Sequence, residues 1–215
     1  DRDDAEELLD TVKGNLDKIN EHGRRADSIV RNMLLHSRDA PSEVQKGDLN
    51  GILEEALSLA YHGARAENPE FNIEMVKTLD NDVGKIECFP QDLMRVFLNL
   101  ISNGMYAANR RKISAEDPAA APDPTLSIKT QAHGDSIIVE VRDTGDGIPK
   151  DIQEKIFTPF FTTKPAGEGT GLGLSLSYDI VVKQHGGTIA VESKPGKFTA
   201  FIVTLPRVMA QTART

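Results

Sequence analysis

One cysteine among 215 residues leaves little room for covalent or metal cross-links. Cys88 has no partner for an internal disulfide, which fits a reducing compartment such as the cytoplasm. One cysteine and five scattered histidines show no ligand spacing, which argues against zinc. No apolar run is long enough to span a bilayer, and no signal-peptide pattern stands at the start. Positive charge is also in short supply. The net charge of -8 argues against a nucleic-acid partner, since phosphate backbones attract basic surfaces. Three nucleotide motifs are missing as well. No Gly-Lys-Ser/Thr closes a Walker loop, no strand feeds a Rossmann Gly-x-Gly-x-x-Gly turn, and the catalytic-loop and Asp-Phe-Gly motifs of protein kinases are absent. The chain begins at Asp1 rather than Met, so a fragment of a longer protein is expected, with membrane or sensory parts upstream.

What is present suffices for a packed domain plus an extra element, with 39% hydrophobic residues. Leu9, Val12, Leu16, Ile19, Gly23, Ala26, Val30 and Met33 recur at alternating steps of three and four. That is a heptad seam and predicts a long helix in a bundle or coiled coil, with a second copy or a missing segment as partner. Asp39, Pro41, Ser42 and Gly47 mark a linker over 39–47. Asp48 then caps an amphipathic helix, ended by Asn68-Pro69. Phe71, Ile73, Met75 and then Val83, Ile86 read as a pair of short strands.

The segment from Gln91 to Arg110 is predicted helical, with Leu93, Val96, Phe97, Leu100 and Ile101 as its apolar face. Asn99 and Asn103 lie one turn apart on the same side. Asparagine forms helices poorly and is costly when buried alone, so the pair either orients a metal, water or phosphate or makes a helix–helix hydrogen bond. Residues 114–124 read as a loop. Two hairpins are expected, one around His133-Gly134-Asp135 and one around Lys194-Pro195-Gly196.

Between Asp143 and Leu174 glycines crowd together, with Phe157, Phe160 and Phe161 among them. Glycine weakens helices and strands, so such density suggests a backbone that must approach a ligand. The run GTGLGL passes into a helix ending at Gly186-Gly187; a glycine loop at a helix start presents unpaired N–H groups and a positive dipole end to an anion. Asp143, at a strand end, either accepts a hydrogen bond from an exocyclic amine or caps a turn.

Four boxes stand in order: LNLISNG, DTGDGI, FTPFFTTK and GEGTGLGL. They resemble the N, G1, F and G2 boxes of the GHKL ATPase superfamily, specifically the catalytic ATP-binding domain of bacterial sensor histidine kinases. The resemblance implies an α+β sandwich of the Bergerat type, a mixed sheet with helices on one face, over 48–206. It makes 1–38 the second helix of a dimerisation and phosphotransfer hairpin; the tail after Pro206, 207–215, reads as frayed. ATP and Mg²⁺ are the implied ligands. Asn103 would bind Mg²⁺, with Asn99 ordering the phosphates or the metal's waters. Asp143 would read the adenine amine, with Gly145, Gly147 and Ile148 beside the base and Thr199 as a nearby hydroxyl. Phe157 and Phe160 would anchor a lid running from about Phe161 to Thr170. Gly169, Thr170, Gly171, Leu172, Gly173 and Leu174 would meet the phosphates, with Lys164 as a lid cation. Many relatives carry a basic residue three places after the second asparagine; here that place holds Tyr106, and Arg110 or Arg111 is the substitute to consider.

The family phosphorylates a histidine in a His-Glu-x-x-Asn/Arg-x-Pro pattern, and no such pattern occurs here. His22 has the wrong flanks, and His36, His62, His133 and His185 read as structural or solvated. The acceptor helix is therefore expected upstream, in a full-length homodimer that passes its phosphoryl group to a response-regulator receiver domain. The competing expectation is a degenerate nucleotide-binding switch or scaffold without phosphotransfer.

Overall fold

The computed structural model describes residues 43–117, 122–165 and 169–209, together with residues 11, 12, 14–16, 18, 19 and 23. Among these the order is β1 (Gln45–Asp48), α1 (Leu49–Glu67), β2 (Glu74–Thr78), a 3-10 turn (Asn81–Val83), β3 (Lys85–Cys88), α2 (Pro90–Ile113), β4 (Thr125–His133) and β5 (Ser136–Asp143). Then come α3 (Lys150–Gln153), α4 (Gly173–Tyr178), a π-helical turn (Asp179–Gln184), β6 (Thr188–Lys194) and β7 (Phe198–Pro206). The chain divides into two units, each described by itself: one holds Ser42–Phe157 and Gly173–Thr215, the other Asp1–Pro41 and Thr158–Leu172.

In the larger unit five strands form a mixed sheet in the order β2-β4-β5-β7-β6. β2 runs parallel to β4, and the remaining pairs are antiparallel. Both expected hairpins are present, closing at His133↔Ser136 and Lys194↔Phe198, with Gly134 and Gly196 at positive φ. Strict alternation along β5 buries Ile137, Val139, Val141 and Asp143 on one face. α2 packs on that face against β4 and β5, and α1 packs on α2. Apolar side chains that become fully buried stabilise by about 1.5–3 kcal/mol each, and Phe97, Leu100 and Ile101 of α2 are completely enclosed. Asp48 caps α1 as expected, accepting from the Gly51 N–H at 3.3 Å. α2 starts at Pro90, whose fixed φ suits the first helical position.

Several sequence expectations are corrected. β2 and β3 do not pair with each other: β2 joins the main sheet beside β4, while β3 pairs antiparallel with β1. The first three residues of β1, 45–47, overlap the stretch expected to be linker. Phe71 and Ile73 are buried just ahead of β2, so their alternation reflects loop packing rather than a strand. Residues 207–209 of the expected frayed tail are held down. Arg207 donates from Nη1 to Val83 O at 2.6 Å, from Nη2 to Asp82 O at 2.7 Å and from Nε to Gly134 O at 3.2 Å. Its planar fork bridges the 3-10 turn and the β4–β5 hairpin.

In the smaller unit the described residues before 24 are helical, and Val12, Leu16 and Ile19 of the expected seam are exposed. Leu9, Ala26, Val30 and Met33, with His22 and His36, lie outside the described residues. No helix among the described residues is long and apolar enough to cross a membrane.

Candidate functional site

α2 carries the asparagine pair, and both readings of it have a physical counterpart. Asn103 Nδ2 donates to Asn99 Oδ1 at 3.2 Å, so the two side chains orient each other. Asn99 Nδ2 donates in turn to Ser177 Oγ on α4 at 3.0 Å, and that hydroxyl donates to Gly173 O at 3.0 Å. Asn99 is thus a helix–helix tie, and it fixes the start of α4. A Cβ at Gly173 would collide with Asn99 Oδ1. Glycine is required there because the side-chain amide sits where a side chain would begin. Leu174 follows half-buried on the same turn.

Asp143 ends β5 opposite Thr199 on β7 and Leu126 on β4. It is only 3% exposed and accepts from the Gly145 N–H at 2.8 Å. Burial pushes its pKa from 3.8 up to about 7, opposed by the backbone N–H groups of Gly145 and Thr199 and by the Arg142 charge. The turn-capping role is therefore present, but a turn cap is ordinarily wet; this one is nearly dry. Gly104, which sequence reasoning passed over within LNLISNG, explains how α2 reaches it. A Cβ at Gly104 would stand 2.6 Å from Leu126 Cδ1 and 3.3 Å from Asp143 Cβ, so the missing side chain lets the helix lie directly on the carboxylate.

The loop after Asp143 is held on three sides. A Cβ at Gly145 would meet Ala107 Cβ at 2.7 Å, and Gly147, at φ 72°, backs onto Lys194 O. Both glycines therefore have packing reasons of their own. The Ile148 N–H donates to Ser193 Oγ at 2.7 Å, and the Gly196 N–H to Asp146 O at 2.6 Å. Ser193 Oγ also lies 3.1 Å from the buried Thr199 hydroxyl and donates to Phe198 O. Ser193 was missed in the sequence; its partner role becomes visible only once β6 and β7 are paired. Arg111 donates from Nη1 to Thr144 O at 2.8 Å. Tyr106, three places after Asn103, is half-buried.

Phe157 faces Tyr178 with ring centroids 5.6 Å apart. Within the segment Thr158–Leu172, Phe160 is 56% exposed and adopts φ 66°, the left-handed region that non-glycine residues rarely occupy. Gly171, at φ 69°, packs so closely on the Phe160 backbone that a Cβ would collide with it. The ends of this segment thus close on each other. The Lys164 N–H donates to Thr162 Oγ1 at 3.1 Å and the Leu172 N–H to Thr170 Oγ1 at 3.4 Å, while a Cβ at Gly169 would stand 2.8 Å from Thr162 Oγ1.

Among the described residues no group of three His, Cys, Asp or Glu side chains could hold a metal. The oxygens at hand for a hard cation are the amide oxygens of Asn99 and Asn103, both half-buried. This donor set fits an ion such as Mg²⁺, which takes one or two protein oxygens and completes its shell with phosphates and water.

A family model described as histidine kinase-, DNA gyrase B-, and HSP90-like ATPase matches residues 89–209. The chain is 36% identical over 201 residues to the sensor kinase CckA of Brucella abortus, covering 90% of this chain and 20% of that protein. It is 34% identical over 188 residues to the sensor histidine kinase ZraS of Salmonella typhimurium, covering 87% of this chain and 36% of that protein. The chain thus spans between a fifth and about a third of these relatives. The solved catalytic domain of histidine kinase ThkA is similar with a TM-score of 0.63 at 29% identity, covering 77% of this chain and 97% of that one. A structure of ThkA in complex with the response regulator TrrA is similar with a TM-score of 0.66 at 26% identity, covering 88% of this chain and 49% of that one.

Proposed function

The chain belongs to the histidine kinase-, DNA gyrase B-, and HSP90-like ATPase family, and from that premise we propose that it is the ATP-binding catalytic portion of a sensor histidine kinase. The observation that carries the reading is the buried carboxylate of Asp143 under Gly104 of the asparagine helix. An ionised carboxylate in so dry a place is costly, and a donor of matched geometry, such as the exocyclic amine of adenine, offsets that cost. Gly145, Gly147 and Ile148 line the base end, and the Thr199 hydroxyl supports it through Ser193. The phosphates lie toward Asn99, Asn103 and the start of α4, where Gly173 and Leu174 offer backbone N–H groups at a helix N-terminus. Gly169, Thr170, Gly171 and Leu172, with Lys164, Phe157 and Phe160, would supply the phenylalanine and glycine boxes that the family resemblance implies.

Asn103 Oδ1 would hold Mg²⁺, with Asn99 fixing its rotamer; the bound ion would neutralise charge on the triphosphate. The remaining contribution of the chain is positioning. The γ-phosphoryl group passes from ATP to a nitrogen of a histidine supplied by a phosphoacceptor helix, the β–γ bridging bond breaks, and ADP leaves. Phosphoryl transfer asks little covalent chemistry of the protein and much alignment and charge stabilisation, which suits a site built from amides and backbone N–H groups. The phosphohistidine would then supply the aspartate of a response-regulator receiver domain, the kind of partner with which ThkA was solved. A homodimer, through the seam beginning at Leu9, would present the acceptor helix.

Titration of the chain with ATP·Mg²⁺ and GTP·Mg²⁺ tests this. Asn103→Ala should abolish the Mg²⁺-dependent part of ATP affinity, and Asp143→Ala should remove the preference for ATP over GTP. If neither variant changes binding, the site is misplaced. Adding an upstream segment with an acceptor histidine should yield phosphohistidine; ATP binding without transfer at any ratio would leave only the switch or scaffold function.

A further inference from the structure

Arg111 stands in the last turn of α2 with its side chain 27% exposed, far from a simple surface charge in what it does. Its Nη1 lies 2.8 Å from Thr144 O, 3.4 Å from Gly145 O and 3.3 Å from Lys197 O. Its Nε lies 4.0 Å from the Asp146 carboxylate. The first two carbonyls belong to the loop immediately after Asp143, and the third to the turn between β6 and β7. One nitrogen therefore gathers acceptors from two separate loops. Three carbonyl dipoles aimed at one point repel each other unless a cation sits there, so the charge as well as the protons holds the loops together.

We propose that Arg111 is a positioning residue for base recognition: it clamps the Thr144–Gly145 carbonyls to the β6–β7 turn and so fixes the carboxylate of Asp143 for its ligand. This rests on Asp143 being the base reader. The link is short. The Thr144 carbonyl that Arg111 holds and the Gly145 N–H that Asp143 Oδ1 accepts belong to one planar peptide group, so a shift of that peptide moves the hydrogen bond that orients the carboxylate. The second face of Gly145 rests on Ala107, one helical turn before Arg111, so helix and guanidinium grip the same peptide. Arg111 need not touch the base to set its selectivity.

Because all three carbonyls converge on Nη1, a lysine ammonium, with three protons at one point, reproduces the arrangement; a neutral isostere does not. Calorimetric titration of the chain with ATP·Mg²⁺ and GTP·Mg²⁺ should show Arg111→Met losing about tenfold or more in ATP affinity but under about threefold in GTP affinity. Arg111→Lys should stay within about threefold of the wild type for both nucleotides. An ATP:GTP ratio in Arg111→Met that matches the wild type overturns the proposal, whether both affinities hold or both fall together. Should Arg111→Met not fold, Arg111→Gln, which keeps two N–H donors without the charge, takes its place with the same expectations. Asp143→Asn separates the two levels. If it loses the ratio while Arg111→Met keeps it, Arg111 alone is misassigned; if it keeps the ratio, the base reader is wrong and the clamp falls with it.

Discussion

Replacing Asp143 by Asn should make the unliganded chain more stable at pH 8, at the expense of its ligand. The carboxylate is 3% exposed and burial holds its pKa near 7 rather than 3.8. The folded pKa lies above the unfolded one, so between pH 3.8 and about 7 the folded chain keeps a proton that the unfolded chain has released. Stability is fullest below that window, falls as pH rises through it, and is flat above pH 7. At 1.36 kcal/mol per pH unit the ionised group costs the fold about 4 kcal/mol at pH 8. Asparagine cannot ionise, but it turns one acceptor into a donor, and one backbone N–H, of Gly145 or Thr199, then faces an amide nitrogen. That mismatch costs about 1–3 kcal/mol, leaving a net gain of about 2 kcal/mol at pH 8. The pH dependence is the sharper quantity, because the mismatch cancels from it. Urea unfolding of both proteins between pH 5 and pH 8 should show the stability difference moving by about 3 kcal/mol in favour of the variant as pH rises. A difference that stays level across that range would refute the reasoning, since it would mean that the carboxyl does not titrate there. The same variant should lose its preference for ATP, tying the stored cost to the function.

Gly173→Ala should lower stability by about 1–3 kcal/mol and weaken ATP·Mg²⁺ binding together, because the new methyl collides with Asn99 and breaks its bond to Ser177; thermal unfolding and calorimetry check the two effects. Ser193→Ala should cost about 1–2 kcal/mol, since the Ile148 N–H loses its acceptor and Phe198 O a donor; nucleotide affinity should fall with it, and an unchanged affinity would show that the Ile148 anchor is dispensable. His185 accepts from the Phe89 N–H at 3.1 Å through Nε2, and its Nδ1 donates to Ile180 O at 2.8 Å, so protonation must break the first bond. Burial lowers its pKa from 6.5; the folded value lies below the unfolded one, so its contribution is full above pH 6.5 and is lost as pH falls through the folded value. His185→Gln should therefore be less stable than the wild type at pH 8, and that deficit should shrink as pH drops below 6.5 in urea unfolding.

What the sequence made legible was whatever depends on neighbours along the chain. The cap at Asp48, the two hairpins with their glycines, and the i, i+4 geometry of Asn99 and Asn103 are local patterns, and the structure contains each of them. What it hid depends on distant partners. β3 pairs with β1 because the chain before Asp48 returns along it, which no local alternation announces. Arg207 looked like part of a polar tail, and its carbonyl partners lie in the 3-10 turn and the β4–β5 hairpin. Gly104 hid inside a helical pattern, because the reason for its missing Cβ is Leu126 and Asp143 on two other strands. The helix expected between the GTGLGL run and Gly186-Gly187 splits into a short α-helix and a π-helical turn. Its apolar pattern is the same in either winding, and the Phe89 N–H that His185 accepts is a tertiary feature.

The site residues of α2 fall on a single row. Asn99, Asn103, Ala107 and Arg111 are four apart in succession, so they climb the helix as one i, i+4 ridge. Each step meets a different piece of the larger unit. Asn99 ties α4 at its first glycine, Asn103 would offer its amide oxygen to the proposed cation, Ala107 supports the Gly145 peptide, and Arg111 holds the carbonyls of that loop. At 1.5 Å per residue the row is about 18 Å long, and its rigidity sets the distance between the Asn99–Ser177 tie and the Arg111 clamp. A helix is the suitable ruler: every backbone bond along it is satisfied internally, so its side chains carry the function without the spacing drifting. Inserting one residue between Asn103 and Ala107 would rotate Ala107 and Arg111 by about 100° relative to the asparagines, leaving the amides in place and the clamp facing away. The phosphate and base halves of the site would then uncouple, and ATP would lose its advantage over GTP without losing its Mg²⁺ dependence.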